Sequence, residues 1–281
     1  MPTYEGVLRD AKKRARRAGL EASAVELLFM HFSGLKPTEL YLSLSETMPC
    51  EAIDRFESAL QEYIVHHRPI QYITGEMFFF GYTLKVTESV LIPRFETEEL
   101  VEKVLTLYDG MFGAKSAKVL DLCTGSGCIA IAIKKEAPAC QVFASDISPA
   151  ALTIARENAA TLDAPIVFYE GDLFEPLANE TFDIIVANPP YIPDSEKVAD
   201  IIFDHEPHLA LFGGKEGLDF YRRILVEAPR HLNRPGILAF EHAYHSASKI
   251  REWAALAFPE ADIYTEKDMQ DKDRMTFVIQ R

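Results

Sequence analysis

A mostly parallel α/β sheet of seven strands with helices on both faces, preceded by a small helical domain and a linking β-hairpin, is the fold class this sequence predicts. Three observations carry the prediction. Short apolar segments alternate with helical ones from residue 118 onward, the pattern of βα units feeding a parallel sheet. A glycine-rich turn joins the first of those strands to its helix. The last two strands are separated by a charged loop and no helix, so they pair antiparallel.

The first 72 residues read as helices. Apolar residues recur at Ala24, Leu27, Leu28 and Phe32, then at Ile53, Phe56, Leu60 and Ile64. Spacings of three and four put each set on one buried helical face. Ser45 or Thr47 caps the second helix, Pro49 lies near its first turn, and Arg68-Pro69 ends it. Lys12, Lys13, Arg14, Arg16 and Arg17 form a basic run, which reads as a solvated face or as a docking patch for an acidic partner. Residues 77–80 and 82–86 are two strands around Gly81, a candidate hairpin. Net charge divides the chain at the same place, with −2 over residues 1–92 and −12 over residues 93–281. The expected organisation is a helical domain at 1–72, a hairpin linker at 73–92 and an α/β domain at 93–281.

Within that last part, residues 118–122, 141–145, 166–169, 182–187 and 237–241 are the parallel strands. The run at 182–187 is the buried, continuously apolar type. Helices occupy 129–135, 149–160, 217–231 and 246–257. Ser148 is the N-cap of the second of these, with Pro149 at its first position. Strands at 262–265 and 275–279 close the sheet.

Composition narrows the function. The chain is 48% hydrophobic and 26% charged, enough apolar surface to offset chain entropy. Its net charge of −14 excludes generic coating of nucleic acid. No run of about 18 apolar residues is present, so no spanning segment is expected. The basic N-terminus lacks the apolar core of a secretory signal. Cys50, Cys123, Cys128 and Cys140 form no C-x-x-C pair and match no zinc ribbon. Reduced thiols in the cytoplasm are the simplest reading, and no metal site is expected.

Asp121-Leu122-Cys123-Thr124-Gly125-Ser126-Gly127 joins the first strand of the sheet to its helix. Glycines let the backbone turn tightly and approach a ligand, and the helix N-terminus offers unpaired N–H groups. Asp146, at the end of the next strand, is placed to accept hydrogen bonds from a ribose diol. Asp172, after the third strand, suits an adenine amino group, with Leu173 against the ring. These features predict a nucleoside-bearing ligand at the carboxyl edge of the sheet.

Asn188-Pro189-Pro190-Tyr191 follows the fourth strand directly. Two prolines cannot continue a central strand, so the segment is a stiff loop at the same edge. The Asn188 side-chain oxygen and the Pro189 carbonyl are two acceptors able to take both hydrogens of a planar NH₂ group. Tyr191 covers its π face. An amide nitrogen is a poor nucleophile because its lone pair is delocalised. Fixing both N–H bonds favours pyramidalisation and aims the lone pair at an electrophile. The acceptors also stabilise the positive charge that grows on that nitrogen.

The combination of residues 121–127, Asp146 and residues 188–191 resembles those class I S-adenosylmethionine-dependent methyltransferases, of Rossmann-like fold, that act on planar nitrogens. Arg68-Pro-Ile-Gln-Tyr-Ile-Thr-Gly75, Val90-Leu-Ile-Pro-Arg94-Phe-Glu96-Thr97-Glu98 and Glu206-Pro-His-Leu-Ala-Leu211 narrow the match. Gly217-Leu-Asp-Phe-Tyr221 and Asp273-Arg274 fit as well. Over about residues 60–281 the chain is similar to the peptide chain release factor glutamine N5-methyltransferases, the HemK/PrmC family, and its helical N-terminus suits that family's docking domain.

The resemblance implies methyl transfer to the side-chain amide of the glutamine in the Gly-Gly-Gln loop of class 1 release factors, with S-adenosylhomocysteine as co-product. It assigns Cys123, Thr124, Gly125, Ser126 and Gly127 to the methionine and ribose side of the cofactor, Asp146 to the ribose hydroxyls, and Asp172 and Leu173 to the adenine. Asn188, Pro189, Pro190 and Tyr191 bind the glutamine amide, Asn188 lying between cofactor and substrate. Phe79 and residues 94–97, Arg94 and Glu96 among them, help to close the pocket. Neither direct nucleic-acid binding nor a membrane partner is expected. Phe95 stands where the family has proline, His242-Ala243 replaces an apolar residue and glycine after Glu241, and Ser246 replaces a common glutamine.

Other readings were weighed. The same acceptor loop serves adenine N6 or guanine N2 in nucleic acid, but the charge and the lack of a broad basic stripe oppose that. Gly125-x-Gly127-x-x-Ala130 also fits a dinucleotide fingerprint, yet a nicotinamide dehydrogenase leaves Asn188-Pro-Pro-Tyr191 without a role. A binding module that has lost its cofactor is opposed by intact Gly125, Gly127, Asp146 and Asn188. His205-Glu-Pro-His208 lacks a third ligand and has Pro207 inside it. Cys123 has no histidine near it in sequence to activate it. Glu241 reads as structural and Trp253 as core.

Overall fold

The computed structural model describes residues 2–113 and 115–281. The chain forms two compact units. One runs to Glu76 and takes in Val198–His205; the other comprises Met77–Lys197 and Glu206–Arg281.

The first unit is built from α1 (Tyr4–Arg17), α2 (Ala22–Ser33), α3 (Pro37–Ser43), α4 (Cys50–Val65) and α5 (Ile70–Thr74). Thr3 caps α1 by accepting from the Gly6 amide at 3.2 Å. Phe29 centres the core, edge-on to Tyr4 at 6.1 Å and to Phe56 at 4.9 Å. The stripe expected on α2 is displaced: Val25, Leu28 and Phe29 are buried while Leu27 is 54% exposed. Eight of the twelve residues of α2 are apolar, so spacing alone does not fix its phase. No side chain caps α4; its N-cap is Pro49. Two of the five basic residues near the end of α1 are tied internally, Lys12 to Glu26 and Arg14 to Glu57. Lys13, Arg16 and Arg17 are exposed.

The hairpin consists of β1 (Glu76–Phe79) and β2 (Tyr82–Lys85). Phe80 and Gly81 have φ of 49° and 86°, the paired positive values of a tight hairpin turn. By compactness the division falls after Glu76, so the hairpin lies almost entirely in the second unit. Phe79 and Leu84 are buried in that unit's core. Asn158 holds the Lys85 backbone, its Oδ1 accepting from the amide at 2.7 Å and its Nδ2 donating to the carbonyl at 3.0 Å.

Next come α6 (Phe95–Phe112), β3 (Lys118–Leu122), α7 (Cys128–Glu136), β4 (Gln141–Asp146), α8 (Pro149–Thr161) and β5 (Ile166–Glu170). A 3-10 turn (Glu175–Leu177) precedes β6 (Phe182–Ala187), and α9 (Asp200–Phe203), α10 (His208–Leu211), α11 (Asp219–His231), β7 (Leu232–Glu241), α12 (Ala247–Ala257), β8 (Asp262–Lys267) and β9 (Asp273–Gln280) complete the chain. The sheet order is β5-β4-β3-β6-β7-β9-β8. Strands β3 to β7 pair parallel, and β9 pairs antiparallel with both β7 and β8. This is the α/β fold expected from the alternation, with the closing hairpin as its antiparallel edge.

Alternate residues of each strand feed opposite cores. Val119, Val142, Ile184, Ile237 and Phe277 face one core with α6, α7 and the hairpin. Leu120, Ile185, Leu238 and Val278 face the other with α11 and α12. The longest helix, α6, was not foreseen. Its stripe of Leu100, Val101, Val104 and Tyr108 is regular but diluted by five acidic residues. Two of these, Glu96 and Glu98, lie in the first turn, where the helix dipole favours them.

Candidate active site

The strand order reverses between β3 and β6, and a cleft opens at the carboxyl ends of the parallel strands, where open α/β sheets bind ligands. Register decides what stands there. Leu122 pairs with Ser145 on one side and Ala187 on the other, and Ala187 pairs with Phe240. The next residues along, Cys123, Asp146, Asn188 and Glu241, therefore stand side by side at one edge.

After β3 the backbone turns sharply. Cys123, Gly125 and Gly127 have φ of 60°, 55° and 84°. A non-glycine residue in the left-handed region is a strained conformation of the kind found at ligand sites. A Cβ added at Gly125 would meet nothing within 4 Å, so the space beside that backbone is open to a ligand. At Gly127 it would lie 3.2 Å from Ala155 of α8, so this glycine serves close helix packing.

Asp121 is fully buried. One carboxylate oxygen accepts from Thr124 Oγ1 at 2.5 Å and from the Ala130 amide at 3.2 Å. The other has no hydrogen-bond partner. Burial pushes the Asp121 carboxyl up to about 7 despite the lowering effect of those bonds. Asp146 Oδ2 accepts from the Gly125 amide at 2.8 Å and Oδ1 from the Ser148 amide at 2.9 Å. Burial raises its pKa against these N–H bonds. Each oxygen keeps a lone pair for a hydroxyl. Burial also pushes the Cys123 thiol well above its ordinary range, helped by Asp146 and Asp121, the reverse of what a nucleophile needs.

Asp172 and Leu173 both line the cleft. Arg223 of α11, which itself lines the cleft, donates to the Asp172 carboxylate at 2.7 Å, and the carboxylate keeps further lone pairs for a ligand donor. Leu173 is buried with φ of 51°, a second strained residue at this edge.

Residues 188–191 are clamped by a glycine strap. The Ile192 amide donates to the Leu211 carbonyl and the Gly213 amide to the Ile192 carbonyl, both at 2.9 Å. A Cβ on Gly213 would lie 2.3 Å from the Pro190 carbonyl oxygen, and one on Gly217 2.2 Å from that of Tyr191. Only bare backbone fits there. Burial pushes the Tyr191 phenol far up, so it stays neutral. Asn188 Nδ2 donates to Thr97 Oγ1 at 3.2 Å, and Thr97 Oγ1 donates to Glu241 Oε2 at 2.6 Å. Burial pushes the Glu241 carboxyl up to about 7, against the Thr97 bond and the Arg274 charge.

Of the expected site residues, Cys123, Gly125, Asp146, Asp172, Leu173, Asn188 and Pro190 form the cleft wall. Thr124, Ser126, Gly127, Pro189 and Tyr191 flank it in the chain. Phe79 does not reach it: 1% exposed, it lies in the core against the sheet. Arg94 is bound by the buried Glu206 at 2.6 Å, and Glu96 sits in the first turn of α6. Val90, Leu91, Phe220 and Arg223 line the cleft as well. Neither periodicity nor turn chemistry marks them; only the motifs around Val90 and Gly217 lie near.

Residues 97–215 match a family model described as Methyltransferase small domain, and residues 6–75 match one described as PrmC N-terminal domain. The chain is 37% identical over 284 residues to the release factor glutamine methyltransferase of Bacillus anthracis, covering 99% of each chain. It is 36% identical to that of Bacillus subtilis strain 168, covering 98% of this chain and 96% of the other. For Streptococcus pneumoniae the identity is 38%, with 93% of each chain covered. Among solved structures, a methyltransferase from Pyrococcus furiosus aligns with a TM-score of 0.53 at 19% identity, covering 79% of this chain and 98% of that one. The 16S rRNA N2 G1207 methyltransferase of T. thermophilus, in complex with AdoMet and guanosine, aligns at 0.54 and 18%, covering 73% and 50%. At these identities the likeness is one of fold.

Fold and matching domain together define a class I S-adenosylmethionine-dependent methyltransferase. The residues that line the cleft suit that cofactor: the Asp146 carboxylate keeps lone pairs for a ribose diol, and the backbone at Gly125 leaves open space beside it. The chain belongs to the release factor glutamine methyltransferase family.

Proposed function

We propose that this chain transfers a methyl group from S-adenosylmethionine to the side-chain amide nitrogen, N5, of the glutamine in the Gly-Gly-Gln motif of class 1 peptide chain release factors. The products are N5-methylglutamine and S-adenosylhomocysteine. The observation that carries this reading is the clamped loop at 188–191, held beside the nucleoside edge of the cleft by Gly213 and Gly217.

Bound S-adenosylmethionine supplies a methyl carbon activated by a sulfonium. Residues 123–127, Asp146 and Leu173 hold it. Asn188 Oδ1 and the Pro189 carbonyl accept the two amide hydrogens of the glutamine, which removes its rotational freedom and turns its lone pair out of the amide plane. Tyr191 and Pro190 cover the amide and exclude water. The proton is lost only as the nitrogen becomes cationic, so no strong base has to act first. Arg94 and Glu96 flank Thr97 at the start of α6 and serve the substrate side; Phe79 supports from the core.

A single glutamine has to be chosen by its surroundings, since its amide is like any other. The first unit supplies that choice as the docking domain, with Lys13, Arg16 and Arg17 presented to an acidic surface of the release factor. Release factors act on ribosomes, which places the reaction in the cytoplasm. The recognised partner is protein, without direct nucleic-acid binding. Incubation with labelled cofactor and purified release factor, followed by mass spectrometry, tests the proposal. The expected result is one methyl group on the glutamine of the motif. Label on another residue, or on RNA alone, would overturn it.

A further inference from the structure

Asn188 has to present oxygen, not nitrogen, to the substrate amide, and an asparagine side chain is nearly symmetric in shape. Something has to choose the orientation. Three residues from three elements meet here: Asn188 after β6, Thr97 in the first turn of α6, and Glu241 at the end of β7. Thr97 and Glu241 are 2% and 1% exposed, so neither is bonded to bulk water in place of its neighbours.

The hydrogens can be assigned by counting donors. An ionised carboxylate only accepts, so the short contact of 2.6 Å between Thr97 Oγ1 and Glu241 Oε2 uses the one hydroxyl hydrogen of Thr97. At 3.2 Å from Asn188, Thr97 Oγ1 then has only lone pairs to offer. The NH₂ end of Asn188 has to face it, which turns Oδ1 toward the cleft that Asn188 lines.

Resting on the proposed role of Asn188, we infer that Thr97 and Glu241 are positioning residues for methyl transfer: a one-way hydrogen-bond chain, Asn188 to Thr97 to Glu241, fixes the Asn188 amide with its acceptor oxygen toward the substrate nitrogen. Neither residue touches the reacting atoms. The α6 segment is thereby given a task in the reaction beyond shaping the pocket. The Thr97 bond, Arg274 and the Asn188 NH₂ group, which also faces the carboxylate, favour the ionised form of Glu241 on which this direction depends, while burial and Glu96 oppose it.

Thr97→Val keeps the shape of the side chain and removes the hydroxyl, leaving the Asn188 amide free to turn over. The expected result on full-length enzyme is a fall in kcat of about tenfold or more with release factor as substrate, with the KM for S-adenosylmethionine unchanged; the thermal midpoint falls as well, because the buried Glu241 carboxylate loses a donor. Thr97→Ser, which retains the hydroxyl, restores most of kcat. Wild-type kcat in Thr97→Val overturns the inference. So does a parallel loss of cofactor affinity, or a Thr97→Ser variant no better than Thr97→Val. Asn188→Ala, assayed beside them, separates the two levels. An inactive Asn188→Ala with a fully active Thr97→Val refutes the positioning chain alone, whereas a fully active Asn188→Ala refutes the reading of the loop itself.

Discussion

Asp121 shows how a single buried side chain bears on the stability of the glycine turn. Its carboxyl is buried, half-satisfied and raised to about 7. A folded-state pKa above the unfolded one means that the folded chain binds the extra proton. Its contribution is most favourable below the unfolded pKa and is lost as pH rises toward the folded value. Asp121→Asn should therefore raise the thermal midpoint of the cofactor-free protein at pH 8, with the gain shrinking toward pH 5. Calorimetry at the two pH values checks this; an equal gain at both would contradict it. From sequence, Asp121 was legible only as the first residue of a glycine loop. Its orphaned oxygen depends on which atoms pack over it.

The clamp on the Asn-Pro-Pro-Tyr loop belongs to segments, not side chains. Gly217 has φ of 69°, and a Cβ there would clash with the Tyr191 carbonyl oxygen. Gly217→Ala should cost about 1–3 kcal/mol of stability and lower kcat while leaving cofactor affinity intact, measurable by thermal melts and titration. Unchanged kcat would show that the strap does not set the loop's position. The strands and their polarity were readable because two-residue alternation and glycine turns are local signals. The helix α6 and the strap were not, because charge dilutes one and the other works by contact with residues distant in sequence. The phase of α2 is a related case: with eight of its twelve residues apolar, tertiary packing selects which of them are buried.

For the molecule as a whole, chemistry and selection are assigned to different units. Arg16→Glu with Arg17→Glu should raise the KM for release factor several-fold and leave kcat at saturation and cofactor affinity unchanged; steady-state kinetics at two ionic strengths checks it. An unaltered KM would return these arginines to the role of a solvated helix end. The boundary was only roughly legible, since the change in charge and composition lies near residue 92 while compactness divides the chain after Glu76 and returns residues 198–205 to the first unit. The central claim is that Asn188 holds the substrate amide and is dispensable for holding the cofactor. Asn188→Ala, examined by cofactor titration and single-turnover methyl transfer to release factor, tests it most directly. The account predicts near-normal cofactor binding with transfer slowed by about 10²-fold or more; undiminished transfer would contradict it.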